Sequence, residues 1–160
     1  MMKARRRMLI VLLAVFLAVI FGQACEKDTT KVKGGERAQA KLLVKKAVAF
    51  LEKNGKGKAL AEFNKPDGQF VKDSLYVFAY DLNGTVIAHP KKPEEIGKNM
   101  LKEPDSQGKF FRRTIVNNAK AKGEGWVKYT FLNPETQKEE PKTTYFKKAG
   151  DMIICCGFYN

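Results

Sequence analysis

The 160-residue chain is expected to fold as an α+β domain on an antiparallel sheet. Three features lead there. An apolar stripe at helical spacing runs from Glu36 to Asn54, a hairpin turns at Asn83-Gly84, and three strand-like segments close the chain after Gly125. Strands clustered this way, with helices beside them rather than alternating with them, point to α+β architecture and not to a parallel sheet.

In the first segment Ala40, Leu43, Ala47, Val48, Phe50 and Leu51 fall three and four residues apart, and lysines occupy the other face. Such spacing gives one buried side, and Asn54-Gly55 is a stop signal. A short helix over "KALAEF" and a Pro-Asp-Gly turn at residues 66–68 follow. Next, "LYVFAYD" and "TVIAHP" flank Leu82-Asn83-Gly84. Asn-Gly supplies the positive φ that a tight turn requires. Along the first of these strands Tyr76, Phe78 and Tyr80 share one face, and Leu75, Val77 and Ala79 share the other. Both faces are apolar, so the strand should be central and covered on both sides. Residues 90–108 read as a long loop, and a second helix is expected over about Lys109–Ala121, closed by Gly123. "GWVKYTF", "KTTYFKK" and "MIICCGFYN" complete a five-stranded sheet, with Pro134 and Pro141 in the loop between the first two.

The N-terminus carries different information. "MMKARRR" precedes an apolar run of 14 residues, Met8–Phe21, and the small residues of "GQA" stand before Cys25. The run is short of the roughly 20 residues a spanning helix needs and fits a secretory signal peptide over residues 1–24. The stretch also resembles a bacterial lipobox, in which the cysteine after the cut is diacylated, although Gly22 stands where leucine is usual. Ordinary cleavage and an uncleaved anchor are the alternatives. Residues 25–35 then read as a polar tether, and residues 36–160 as the domain. The expected location is the periplasm, or the outer side of a membrane through a lipid on Cys25.

Formal net charge is +13, with Lys3, Arg5, Arg6 and Arg7 in the leader and the remaining excess spread along the chain as lysine. A nucleic-acid surface needs a basic patch with stacking aromatics or a known motif, and none is present. Catalytic signatures are also missing: His89 is the only histidine, and no nucleophile elbow or paired-acid frame occurs. No metal spacing exists either, so neither metal nor cofactor is expected. Cys155 and Cys156 read most simply as two strand residues facing opposite ways, with a strained vicinal disulfide or metal capture as alternatives.

The segments "LYVFAYDLNGTVIAHP", "IGKNM", "GEGWVKYTFLNPET" and "EPKTTYFKKAGDMIICCGFY" together resemble a single Cache domain, the extracytoplasmic PAS-like sensor module of bacterial chemoreceptors and histidine kinases. The resemblance spans roughly residues 36–160. It implies a long N-terminal helix behind a five-stranded sheet, and a ligand pocket on the other face under a helix and loops. It also implies a short carboxylate ligand such as acetate, pyruvate or lactate. Family members typically continue into a transmembrane helix and a signalling domain, whereas this sequence stops at Asn160. Signalling is therefore expected to run through a partner, such as a membrane receptor or a histidine kinase. The competing reading is a structural or redox-interacting lipoprotein that keeps the fold without a ligand.

A carboxylate pocket needs a cation or several donors and walls that exclude water. Lys142, Tyr145 and His89 match the polar motif positions. Tyr76, Tyr80, Trp126 and Tyr129 are the aromatic candidates, three of them with hydroxyls that need partners when buried. Strict alternation sets Lys142 against Tyr145, and Trp126 against Tyr129, on opposite faces. All of them can line one pocket only if the strands bend or bulge.

Overall fold

The computed structural model describes residues 33–160. The expected signal peptide, the expected lipidation site at Cys25 and most of the expected tether lie outside the described residues. Helix α1 (Lys33–Asn54) starts three residues before the expected Glu36 and takes in the Gly-Gly pair assigned to the tether. Among the described residues no helix is long and apolar enough to cross a membrane.

After α1 the chain forms α2 (Lys56–Phe63), β1 (Val71–Lys72), β2 (Leu75–Asp81) and β3 (Val86–Ala88). A 3₁₀ turn at Pro93–Glu95 and α3 (Phe111–Lys122) follow, then β4 (Glu124–Leu132), β5 (Glu139–Ala149) and β6 (Met152–Tyr159). The antiparallel sheet runs β1-β2-β6-β5-β4, with β3 also paired to β2. It has six strands where the sequence predicts five. The extra one is a two-residue pairing, Val71 with Tyr76 and Lys72 with Leu75, too short to show any periodicity. Strand β6 runs along one edge of β2 from Tyr76 to Asp81, which leaves β1 and β3 to share the other edge.

The hairpin closes as expected. Gly84 adopts φ 84°, and a Cβ there would run into the Leu101 side chain at 2.3 Å. Asp81 holds the turn through its Oδ1, which accepts from the backbone N–H groups of Asn83 and Thr85, each at 2.8 Å. Strand β3 stops at Ala88, before His89, and shares its backbone groups with the following loop: Val86 N–H donates to Lys98 O and Gly97 N–H to Val86 O. Pro141 lies inside β5, not in the preceding loop, and pairs with Thr130 of β4. Strand β6 ends opposite Lys142, and beyond it Asn160 donates its backbone N–H to Pro141 O at 2.9 Å, a bond that asks no N–H of the proline.

The sheet separates two cores. On one face α1 and α2 bring Ala40, Val44, Ala47 and Phe63 against Leu75, Val77, Ile154, Cys156 and Phe158. On the other, α3 sets Phe111, Ile115, Val116 and Ala119 against Tyr76, Phe78, Tyr80, Tyr129, Phe146 and Cys155. Strand β2 is buried on both sides, and β6 is buried throughout. The adjacent cysteines are both free and face opposite cores, as alternation requires.

Candidate functional site

The site is built by register on the α3 face. Lys142 of β5 stands opposite Tyr129 of β4 on one side and Tyr159 of β6 on the other. One strand further on, Tyr76 of β2 stands opposite Gly157 of β6. The absent side chain at Gly157 opens a path across β6, and the lysine takes it. A Cβ there would lie 2.8 Å from Lys142 Cε and 2.2 Å from Thr144 Oγ1. Lys142 therefore reaches over its neighbouring strand and donates from Nζ to Tyr76 Oη at 2.6 Å and to Tyr159 Oη at 3.3 Å. Tyr159 in turn donates to Leu132 O at 2.9 Å.

Lys142 is 1% exposed, and four rings surround its ammonium group. The ring centres of Tyr76, Tyr159, Phe131 and Phe78 lie 4.2, 4.6, 5.3 and 5.6 Å from Nζ. Their π faces supply part of what water would have given. Among the described residues no carboxylate lies within ion-pair distance of this lysine. Burial accordingly pushes its pKa down from 10.5 to about 7, because a charge without water or counter-ion is disfavoured.

His89 lies beside it. Its ring stacks on Phe78 at 5.5 Å and tilts against Tyr76 at 5.3 Å. Its backbone N–H donates to Asn64 Oδ1 at 2.9 Å, which ties the end of the hairpin to the close of α2. Its Nδ1 is buried and has no hydrogen-bond partner. Burial first, and then Lys142, Lys92 and Arg112, lower the imidazole pKa from 6.5 to about 3. The ring is neutral at physiological pH.

The 3₁₀ segment and α3 complete the surroundings. Arg112, 4% exposed, lies over Phe111 at 4.4 Å and faces Phe131 at 5.7 Å. Lys92 approaches the same Phe131 ring at 4.5 Å. Glu95 pairs with both, at 3.3 Å to Arg112 and 3.5 Å to Lys92. A cleft of about 210 Å³ is lined by Tyr76, Lys91, Lys92, Glu94, Leu132, Pro134 and Gln137, and it adjoins the buried lysine through Tyr76. That is below the usual range for drug-sized ligands and suits a small molecule.

Of the residues singled out from sequence, Tyr76, His89 and Lys142 come together here. Tyr80 and Tyr129 share the same core but stand further along it. Tyr129 is stacked on Phe111 at 3.8 Å, and its hydroxyl is committed to Thr144 Oγ1 at 2.9 Å. Trp126 and Tyr145 do not join them. Both project from the opposite face, 5.0 Å apart, where Arg37 covers the indole at 4.3 Å and Lys41 the phenol ring at 5.2 Å. Strands β4 and β5 pair without a register shift from Glu124 to Leu132, so the bulge that would bring all candidates to one side is absent from this pairing. These two residues belong to the packing of α1 against the sheet, and we remove them from the candidate site.

Sequence reasoning missed Tyr159, Gly157 and Arg112. Gly157 and Tyr159 are two apart, hence on one face, and register then sets them beside Lys142. Arg112 occupies a position on the buried stripe of α3 with Phe111, Ile115, Val116 and Ala119. Its neighbour Arg113 is exposed, and nothing in the pair itself tells which of the two turns inward.

The Cache domain model of the dCache_2 type matches residues 67–160. Several solved structures have the same fold. A methyl-accepting chemotaxis protein from Vibrio parahaemolyticus superposes with a TM-score of 0.67 and 24% identity, over 79% of this chain and 89% of that one. A Cache chemosensory domain, solved to explain its recognition of carboxylic acids, gives a TM-score of 0.67 and 23% identity over 79% and 94%. The periplasmic sensor domain of a chemotaxis protein gives 0.64 and 21% over 79% and 93%. At these identities the likeness is one of fold. With the family match over more than half its length, the chain belongs to the Cache domain family.

Proposed function

We propose that this domain is an extracytoplasmic sensor that binds a small organic acid of the acetate, pyruvate and lactate class. Lys142 is its charge partner. The observation that carries the reading is a fully buried lysine with no counter-ion among the described residues. Burying a cation costs several kcal/mol unless an anion meets it, and a carboxylate in the adjoining cleft would meet it. Tyr76 and Tyr159 hold the amine in place through their hydroxyls, and His89 contributes a neutral nitrogen. The solved Cache domain described as recognising carboxylic acids supports the ligand class. We further propose that the bound state is relayed through a separate partner, a membrane receptor or a histidine kinase. The domain would be held at the membrane by lipid on Cys25; the support is the short apolar run and small residues before that cysteine.

A thermal-shift panel tests the ligand class. A ligand that binds only the folded state raises stability by RT ln(1 + [L]/Kd). At least one short acid should raise Tm in a concentration-dependent way, and the matching amide should not. A panel in which no acid shifts Tm would refute the reading.

A further inference from the structure

We infer that the ε-amine of Lys142 is a covalent capture point for a short-chain aldehyde or ketone, which it holds as a reversible imine. This uses the amine as a nucleophile and does not rest on the carboxylate reading.

The first ground is the surroundings of the amine. Nζ sits among the rings of Tyr76, Tyr159, Phe131 and Phe78, and among the described residues no carboxylate lies within ion-pair distance. A buried ammonium is disfavoured there, whereas a neutral imine carries no charge to solvate. Burial lowers the lysine pKa to about 7. About half of the amine then offers its lone pair at neutral pH, against fewer than about one in a thousand for a lysine in water. Desolvation in an apolar pocket is a general route to a reactive lysine.

The second ground is proton handling. The nitrogen lone pair adds to the carbonyl carbon, the C=O π pair goes to oxygen, and one amine proton ends on that oxygen. The carbinolamine then loses its hydroxyl as water while the nitrogen sheds its second proton and forms C=N. One water leaves, and nothing is oxidised or reduced. Two hydroxyls stand at Nζ for this, Tyr76 at 2.6 Å and Tyr159 at 3.3 Å. Tyr159 commits its proton to Leu132 O, so Tyr76 is the hydroxyl placed to protonate the departing oxygen. Burial keeps that phenol protonated, its pKa raised well above 10.

The third ground is position. The cleft of about 210 Å³ is lined by Tyr76 and not by Lys142, and the Tyr76 hydroxyl stands between the two. A carbonyl compound entering the cleft meets the proton donor first, and rotation of the phenol brings it to the amine. This approach restricts the ligand to a small one.

Reductive trapping tests the inference. The purified wild-type protein is incubated with limiting acetaldehyde and cyanoborohydride, which turns an imine into a stable ethylamine, and labelled lysines are located by intact mass and peptide mapping. At pH 7.5 Lys142 should be labelled at least about tenfold faster than any other lysine. Its rate should rise through about pH 7 and level off, while exposed lysines keep gaining toward pH 10. Its neighbours do not titrate in that window: burial holds Tyr76, Tyr159, Cys155 and Cys156 protonated and His89 neutral. Lys92 and Glu95 act on it as fixed charges of opposite sign, and Arg112 of α3 faces the same Phe131 ring. Without the hydride the adduct should wash out. Lys142→Met should lose this label and Lys147→Ala keep it. Tyr76→Phe should slow labelling by at least about tenfold; an unchanged rate would remove the proton donor and overturn the inference. Labels confined to exposed lysines in the folded wild type, with Lys142 bare, would also overturn it, whatever the stability of the variants. Acetaldehyde has no carboxylate, so this result and the acid panel stand or fall separately.

Discussion

Replacing Lys142 by methionine should make the ligand-free protein more stable while abolishing acid binding. The lysine is 1% exposed, and its pKa falls from 10.5 to about 7, which corresponds to a penalty on the order of 5 kcal/mol on its charged form in the fold. The lost contacts to Tyr76 and Tyr159 offset part of this at about 1 kcal/mol each, so the net gain at pH 6 should be about 1–3 kcal/mol. The sign of the pH dependence follows from the depressed pKa of a base. Below pH 7 both folded and unfolded lysine are protonated and the penalty is complete. Between pH 7 and 10.5 only the unfolded chain keeps the proton, and the penalty fades. The stability advantage of Lys142→Met should therefore shrink by about 2 kcal/mol between pH 6 and pH 8.5. Urea denaturation of both proteins at the two pH values measures it. A variant several kcal/mol less stable than wild type, by the same amount at both pH values, would refute the reasoning and make Lys142 a structural clamp.

Other expectations follow from the same geometry. Acid binding requires protonated Lys142, so Kd should rise toward tenfold per pH unit above about pH 7, seen by calorimetry from pH 6 to 9. His89, lowered to about 3 by burial and its cationic neighbours, should show no imidazole titration by NMR between pH 5 and 8; a transition near pH 6.5 would contradict its burial. Its depressed pKa also predicts stability that falls as pH drops from about 6.5 toward 3, a loss that His89→Gln removes. Gly157→Ala should cost about 1–3 kcal/mol through overpacking and weaken acid binding, because the new Cβ meets Lys142 Cε and Thr144 Oγ1; unchanged binding would show that the path of Lys142 across β6 is not needed.

Much of this fold was legible because its signals are local and periodic. The stripe of α1, the Asn-Gly turn and the doubly buried β2 each follow from a short window of residues. The two-residue β1 and the placement of Pro141 inside β5 were not legible, since both depend on where a partner strand begins or ends. The site divides the same way. The sequence picks out Lys142, His89 and Tyr76, and alternation alone already separates Lys142 from Tyr145. What it cannot supply is which strand lies beside which. Gly157 matters only because β6 runs between β5 and β2, and Arg112 only because α3 turns that position inward. Trp126 and Tyr145 were misplaced because they match the motif while their strands pair regularly.

The most direct test of the account is calorimetric titration at pH 6.5 with the acid giving the largest thermal shift, on wild type, Lys142→Met and Lys147→Ala. Lys147 is the control: it is half-exposed and paired with Glu124 at 2.7 Å. The account predicts one site in the wild type, at least about a 30-fold loss in Lys142→Met, from roughly 2–5 kcal/mol for a buried charge pair, and little change in Lys147→Ala. Equal affinities in all three proteins would contradict it.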